Sequence, residues 1–320
     1  KIPLIKPDIL TLDIEMPEMD GLQTLAAARK LYPHLPIIMF STLTERGGSK
    51  TLEALALGAT DYVTKPANVG SVSVAMQRIR DELIPKIKTF CAKKAGLQTS
   101  SVIVPKPAAK AGTPTVKPSF AKASPNQKFD ILAIGVSTGG PNALAELFPT
   151  LPGDLPVPIV LVQHMPPFFT KLLAERLTSK SPLEIQEGKA GEKLEPGKAW
   201  IAPGDYHMVL EKKGTGVYLQ TNQGPQENSC RPAVDPLFRS VVEIYGAKTL
   251  AVILTGMGQD GLRGCEQIKQ AGGQVIVQDE QSSVVWGMPG FVARAGLADE
   301  VLPLNQVGQK IIAKLKVGRI

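Results

Sequence analysis

Between Cys91 and Lys128 the chain carries Lys93, Lys94, Lys106, Lys110, Lys117, Lys122 and Lys128 with no Arg, Asp or Glu, and sets them among Pro105, Pro107, Pro114, Pro118 and Pro125. Such a composition buries too little apolar surface to offset the cost of ordering the chain. The stretch therefore reads as an extended, semi-stiff tether, and the rest must fold as two bodies, one on each side of it. A length of 320 residues suits that division, since a domain averages roughly 150. The expected boundaries are 1–88 for the first body, 89–127 for the tether and 128–320 for the second.

The tether also explains the charge. The seven lysines of Cys91–Lys128 equal the whole net charge of +7, so the rest of the chain sums to zero. A nucleic-acid-binding output would need a basic face of its own, and none is left. The tether itself reads as a soluble spacer rather than a site for acidic partners. Only Cys91, Cys230 and Cys265 occur, scattered and without a C-x-x-C pair, which excludes a disulfide framework and a zinc finger and points to a reducing, cytoplasmic setting. No apolar run approaches the ~18 residues of a membrane span. Lys1 stands where a Met would start the chain and no signal peptide follows, so the true start is expected to lie upstream.

Both bodies alternate short apolar runs with helical patterns. The first does so three times: Asp8–Leu12 with Gly21–Tyr32, Pro36–Phe40 with Ser49–Leu57, and Thr60–Val63 with Gly70–Lys88. The second runs from Phe129–Val136 with Pro141–Phe148 and Val157–Gln163 with Phe168–Thr178 to Leu250–Leu254 with Gly261–Ala271, Gln274–Gln278 with Gly290–Ala295, and Glu300–Leu302 with Val307–Leu315. Continuous apolar strands between amphipathic helices predict α/β folds with parallel sheets covered on both faces. Lys198–Ala202, His207–Glu211 and Gly216–Thr221 instead alternate about Gly-containing turns, which predicts a small antiparallel insertion. In doubly wound sheets ligands sit at the carboxyl ends of strands.

Three strand ends of the first body carry polar atoms: Asp13, Ser41 and Lys65. A carboxylate, a hydroxyl and an ammonium converging at one sheet edge suit a phosphoryl group. Singly, each has a plain reading as a cap or a solvated side chain. In the second body, Gly135-Val136-Ser137-Thr138-Gly139-Gly140-Pro141 joins a strand to a helix with Pro141 near N1. Ser137 there is equally a nucleophile, an N-cap or part of a phosphate-binding turn. A nucleophile needs a base. Of His34, His164 and His207, only His164 follows a parallel strand, while His34 reads as solvated and His207 as structural or solvent-exposed. Asp260 is the one acid in the Gly-rich loop Thr255–Gly261 and suits the carboxylate that orients an imidazole, beside its plain reading as a helix cap.

Leu12-Asp13-Ile14-Glu15-Met16-Pro17, Met19-Asp20-Gly21, Met39-Phe40-Ser41-Thr42 and Gly58–Pro66 resemble the receiver domain of two-component response regulators, a flavodoxin-like fold. The resemblance implies that Asp13 accepts phosphate from a histidine kinase, that Ser41 and Lys65 bind the phosphoryl group, and that Tyr62 is the aromatic switch position. It further implies Mg²⁺ for phosphorylation, with Asp13 as a ligand and an acidic pair at an earlier strand end that this chain does not contain. Three βα units stand for the family's five, so an incomplete amino terminus is expected.

Gly135–Pro141, Gln163-His164-Met165-Pro166, Ile201–His207, Arg231–Ser240, Leu254–Gly261 and Trp286–Gly290 resemble the chemotaxis protein-glutamate methylesterase (CheB) family, across nearly all of Phe129–Gly318. That resemblance implies a Ser137–His164–Asp260 triad with the Met257 N–H and Thr138 near the oxyanion. It implies hydrolysis of glutamate methyl esters on methyl-accepting chemotaxis receptors with release of methanol, deamidation of selected glutamines, and no cofactor for hydrolysis. Phosphorylation of the receiver would uncover the esterase cleft. The rival reading is a response regulator whose output binds phosphate or nucleotide without catalysis, although Gly135–Gly140 lacks both a following Lys-Ser/Thr pair and a Gly-x-Gly-x-x-Gly spacing.

Overall fold

The computed structural model describes residues 2–66, 72–94 and 127–316, and the chain divides into two compact units. Near the amino terminus, α1 (Ile2–Ile5) precedes β1 (Leu10–Asp13), α2 (Gly21–Leu31), β2 (Ile37–Thr42), α3 (Glu45–Ala56), β3 (Asp61–Lys65) and α4 (Val72–Lys94). The strands form a parallel sheet in the order β1-β2-β3. Ile37, Ile38 and Met39 of the central strand are fully buried, as a strand covered on both faces must be. Helix α2 begins on a capping box: Asp20 Oδ1 accepts the N–H of Gln23, whose side chain accepts that of Asp20. Gly21 is required because a Cβ there would stand 2.1 Å from the Asp13 carbonyl oxygen. Helix α4 extends to Lys94, beyond the expected end at Lys88, and most of the tether falls on 95–126, outside the described residues.

After residue 127 come β4 (Ile131–Val136), α5 (Gly140–Leu147), β5 (Ile159–Gln163), α6 (Phe169–Thr178), β6 (Glu184–Glu187), β7 (Lys198–Ile201), β8 (His207–Lys213) and β9 (Gly216–Asn222). Then follow α7 (Val234–Tyr245), β10 (Thr249–Ile253), α8 (Leu262–Gln270), β11 (Gln274–Gln278), α9 (Met288–Arg294), β12 (Glu300–Leu302) and α10 (Leu304–Lys316). Seven strands form one sheet in the order β12-β11-β10-β4-β5-β7-β6, and every pairing in it is parallel. Every residue of β4, β5, β10 and β11 is buried. Helices α5, α6 and α10 pack as one group and α7, α8 and α9 as another, which covers the two faces.

One expected element moves. The alternation of Lys198–Ala202 predicts a place in the antiparallel insertion, yet β7 joins the main sheet between β5 and β6. Ala199, Trp200 and Ile201 are buried in succession, the mark of a strand enclosed on both faces rather than half-exposed. Among the described strands the antiparallel pairing is that of the β8–β9 hairpin. Strand β6 and helix α7 were not anticipated. The α7 signal was present, for Val234, Leu237, Phe238 and Val241 follow the 3–4 spacing of one buried face.

Candidate active site

Strands β10, β4 and β5 lie side by side and parallel, with Ile253 opposite Gly135 and Val136 opposite Gln163. Their carboxyl ends therefore deliver three loops to one edge. Ser137 follows β4, His164 follows β5, and Asp260 ends the loop after β10. The backbone knits these loops together: the Ser137 N–H donates to the Thr255 carbonyl at 3.0 Å and the His164 N–H to that of Val136 at 3.2 Å.

The side chains meet in sequence. Ser137 Oγ lies 3.0 Å from His164 Nδ1, and His164 Nε2 lies 2.8 Å from Asp260 Oδ2. A carboxylate only accepts, so Nε2 carries the proton and donates to Asp260, which leaves the Nδ1 lone pair facing the serine hydroxyl. Gly256 backs the serine closely, for a Cβ there would stand 2.9 Å from Ser137 Cβ. Met257 follows in the same loop, and its main-chain N–H donates to no described residue. Thr138 is buried, and its carbonyl accepts from Thr255 Oγ1 at 2.9 Å. Gly139 enters helix α5 at φ +79°, a left-handed conformation that favours glycine.

Asp260 is buried and heavily hydrogen-bonded. Oδ2 accepts the Val234 N–H at 2.6 Å as well as His164, and Oδ1 accepts the N–H groups of Asp235 and Gly261 and the Asn228 side-chain amide at 2.9 Å. It does not cap its own helix α8, whose N-cap residue is Gly261, without a side-chain bond. It caps α7 instead, whose N-cap residue, Ala233, has no side chain to do so. Burial works against its charge but is outweighed by His164 and the Val234 and Asp235 N–H groups, which hold the carboxyl below its ordinary range. Burial likewise opposes a charged His164, and the Cys230 sulfur and the Asp260 carboxylate overcome it, raising the imidazole to about 10.

Several contacts here escaped the sequence reading. Gln163 Nε2 donates to the carbonyl oxygens of both Ser137 and His164, at 3.0 and 3.2 Å. Cys230 Sγ lies 3.5 Å from His164 Nδ1. Buried Asp235 accepts the Gly264 N–H at 2.8 Å and the Asn228 amide at 3.0 Å. All but Gln163 belong to α7 or the turn before it, far in sequence from the serine and the histidine. Of its two readings His207 takes the structural one: it is buried, with Nε2 against the Pro225 carbonyl and Nδ1 accepting the Ala233 N–H, and His34 is exposed.

In the amino-terminal sheet Asp13 ends β1, Ser41 is the penultimate residue of β2, and Lys65 ends β3. Lys65 Nζ donates to Asp13 Oδ2 at 2.6 Å, and Oδ1 accepts the Glu15 N–H at 3.0 Å. Burial opposes the Asp13 charge and these two donors outweigh it, which lowers its pKa. Ser41 is buried and its Oγ donates to the Thr42 carbonyl at 3.3 Å. Tyr62 is buried, and burial with Asp61 and Glu82 pushes its phenol well up. Among the described residues no three His, Cys, Asp or Glu side chains are grouped to hold a metal ion. Asp13 is a single carboxylate already engaged by Lys65, so the residues present do not by themselves compose a Mg²⁺ site.

A parallel-sheet domain with a strand-end Ser–His–Asp chain, joined to a three-stranded receiver-like sheet with a strand-end Asp–Lys pair, defines the class as a response regulator with a hydrolase-type output. Comparison with known proteins narrows it. Residues 132–311 match the CheB methylesterase family and residues 2–77 the response regulator receiver domain. The chain is 53% identical over 319 residues to the protein-glutamate methylesterase/protein-glutamine glutaminase of Trichodesmium erythraeum, covering 98% of this chain and 88% of that one. It is 38% identical to the Pyrococcus horikoshii protein of the same name, covering 98% and 82%. Among solved structures, the Thermotoga maritima CheB methylesterase catalytic domain is 47% identical, with a TM-score of 0.57 over 58% of this chain and 98% of that one. The chain belongs to the CheB methylesterase family and carries that family's receiver domain. The receiver match is consistent with Mg²⁺ use in phosphorylation. No described helix is long and apolar enough to cross a membrane.

Proposed function

We propose that this protein hydrolyses glutamate γ-methyl esters on methyl-accepting chemotaxis receptors and deamidates selected receptor glutamines, in the cytoplasm, with Ser137, His164 and Asp260 as its triad. The reading is carried by the unbroken hydrogen-bonded path from Ser137 Oγ through His164 to Asp260. Ser137 Oγ attacks the ester carbonyl carbon as its proton passes to His164 Nδ1. Asp260, accepting from Nε2, holds the ring in the tautomer that leaves Nδ1 free and steadies the imidazolium. The carbonyl oxygen becomes an oxyanion that the Met257 N–H would receive, with Thr138 nearby. Collapse expels methanol, protonated by His164. Water, deprotonated by the same nitrogen, then releases glutamate and restores the serine. With a glutamine side chain the leaving group is ammonia. Residues 128–320 make up this catalytic domain, the receiver runs through the end of α4 at Lys94, and the linker lies between them.

The receiver supplies regulation in this account. A histidine kinase would phosphorylate Asp13, and the added charge and acceptor oxygens would engage Lys65 and Ser41 in place of the present Lys65–Asp13 pair. Methylated receptor membranes incubated with the chain should release methanol as their methyl ester falls. A phosphodonor kinase should raise that rate in the wild type but leave Asp13→Ala unchanged. Membranes that keep all their methyl groups would remove the esterase reading.

Two further outcomes follow. A Cβ at Gly140 would stand 1.9 Å from Gln163 Oε1, so Gly140→Ala must push aside the amide that ties the Ser137 and His164 backbones. A displacement of about 1 Å can cost about 10²-fold in rate, and methanol release by this variant should fall by at least about tenfold. The second concerns pH. His164 works as a base only when neutral, and its raised pKa places the acid limb of ester hydrolysis above the ordinary histidine value of about 6.5. Cys230→Ala removes one of the groups that raise it and should bring the midpoint down in a rate–pH profile. The same shift has a stability consequence of definite sign. Stability contributed by the imidazolium is present below pH ~6.5 and lost as pH climbs through the folded value.

A further inference from the structure

Residues Glu227–Cys230 form a tight turn closed by two backbone bonds, Cys230 N–H to the Glu227 carbonyl at 2.9 Å and Glu227 N–H to that of Cys230 at 3.2 Å. Its central residues, Asn228 and Ser229, both have positive φ, 51° and 61°, as a type I′ turn requires. The conformation is disfavoured for residues with a Cβ, although Asn tolerates it better than most. Arg239 of α7 clamps the turn by two bonds to the Glu227 carboxylate, at 2.8 and 2.5 Å. So held, the Asn228 amide points inward, and one nitrogen donates to both Asp260 Oδ1 and Asp235 Oδ2.

Two buried carboxylates that share one donor nitrogen are close enough to repel, and a pair of that kind ordinarily keeps one proton. Yet Asp260 must stay ionised to hold His164. We propose that Asn228 is a positioning residue: its side-chain amide bridges Asp235 and Asp260 and lets Asp260 remain a charged acceptor for His164 beside a second buried acid. This rests on reading Asp260 as the member of the triad that orients His164. The opposed shifts of the two acids accord with it: burial raises Asp235, with Asp260 adding to the rise, whereas His164 and the helix N–H groups lower Asp260. The charged or titratable groups around the pair are His164 after β5, Arg239 on α7, Cys265 on α8, and Glu227 and Cys230 in the turn. Among these, Arg239 already satisfies the Glu227 carboxylate, and the bridge between the two aspartates falls to the Asn228 amide.

The test reads the carboxyls directly. Full-length protein labelled with ¹³C at the aspartate carboxyls is titrated by NMR, with the pair assigned through Asp235→Asn and Asp260→Asn. Asn228→Ala should raise the first midpoint of the pair by about one pH unit, a tenfold weaker hold on the ionised form, and lower kcat for methanol release with KM unchanged. Asn228→Asp keeps the shape but replaces the donor with a third acid, so its midpoint should rise further than that of Asn228→Ala. A residue that only filled space would show the reverse order, with the isosteric Asp the milder change. Unchanged midpoints, or that reverse order, would overturn the proposal. Because the titration does not depend on turnover, it decides the role of Asn228 even where Ser137→Ala leaves methanol release intact and the esterase reading fails.

Discussion

Ser137→Ala should reduce methanol release from methylated receptor membranes by on the order of 10⁴-fold or more, the usual cost of deleting a nucleophile from a serine triad. The hydroxyl's interaction is with His164 Nδ1 at 3.0 Å, so its removal takes away the attacking atom while the backbone bonds of the loop stay in place. Ser137 N–H still donates to Thr255 and Gly140 N–H still donates to the Ser137 carbonyl. Stability should therefore move little, and receptor affinity should be kept. His164→Ala should cost about as much, and the double variant hardly more than either, because the two groups act on one proton. Initial rates on the three variants, with urea unfolding as the control, check this. Independent, multiplying losses would show that the two residues do not work as a unit.

Asp260→Asn is expected to damage both activity and fold. The carboxylate accepts from five donors: the Val234, Asp235 and Gly261 N–H groups, the Asn228 amide and His164 Nε2. An amide nitrogen cannot accept, so whichever way the Asn side chain turns, some of these donors face another donor. Hydrogen bonds to a charged acceptor contribute roughly 1.5–3 kcal/mol each and an orphaned buried donor costs about 1–3 kcal/mol, so a loss of about 2–5 kcal/mol is expected. The chemistry suffers separately. With the Asn amide donating to Nε2, the imidazole proton moves to Nδ1, which can then no longer take the serine proton, a tautomer error that costs about 10⁴-fold in rate. Urea midpoints and initial rates measure the two effects. The stability contributed by the wild-type carboxylate has the sign of a lowered acid: it is present above pH ~4 and lost as pH falls through the folded value. A variant as stable and as active as the wild type would mean that Asp260 neither caps α7 nor orients His164.

The parts of this site readable in the sequence are those that sit on strand ends. Ser137 directly follows the apolar strand β4, His164 follows the largely apolar β5, and Asp260 lies in the Gly-rich loop after the apolar β10; a parallel sheet brings such ends together whatever the intervening distance. Asp13, Ser41 and Lys65 were legible for the same reason. Asn228, Asp235 and Cys230 were not, because they reach the site through a turn set by backbone conformation and a helix cap supplied from elsewhere in the chain. Neither leaves a local pattern of residue types. Lys198–Ile201 misled because a four-residue strand is too short for alternation to separate one exposed face from two buried ones. Helix α4 outruns its predicted end because the lysines and alanine beyond Lys88 share the composition of the tether and yet are good helix formers.

The central claim is that Ser137 is a nucleophile activated by His164. A serine-directed fluorophosphonate applied to the full-length protein, with the adduct located by mass spectrometry, tests it most directly. The label should appear on Ser137, at a rate that falls steeply in His164→Ala. Labelling at another residue, or of Ser137 at an undiminished rate without His164, would contradict the account.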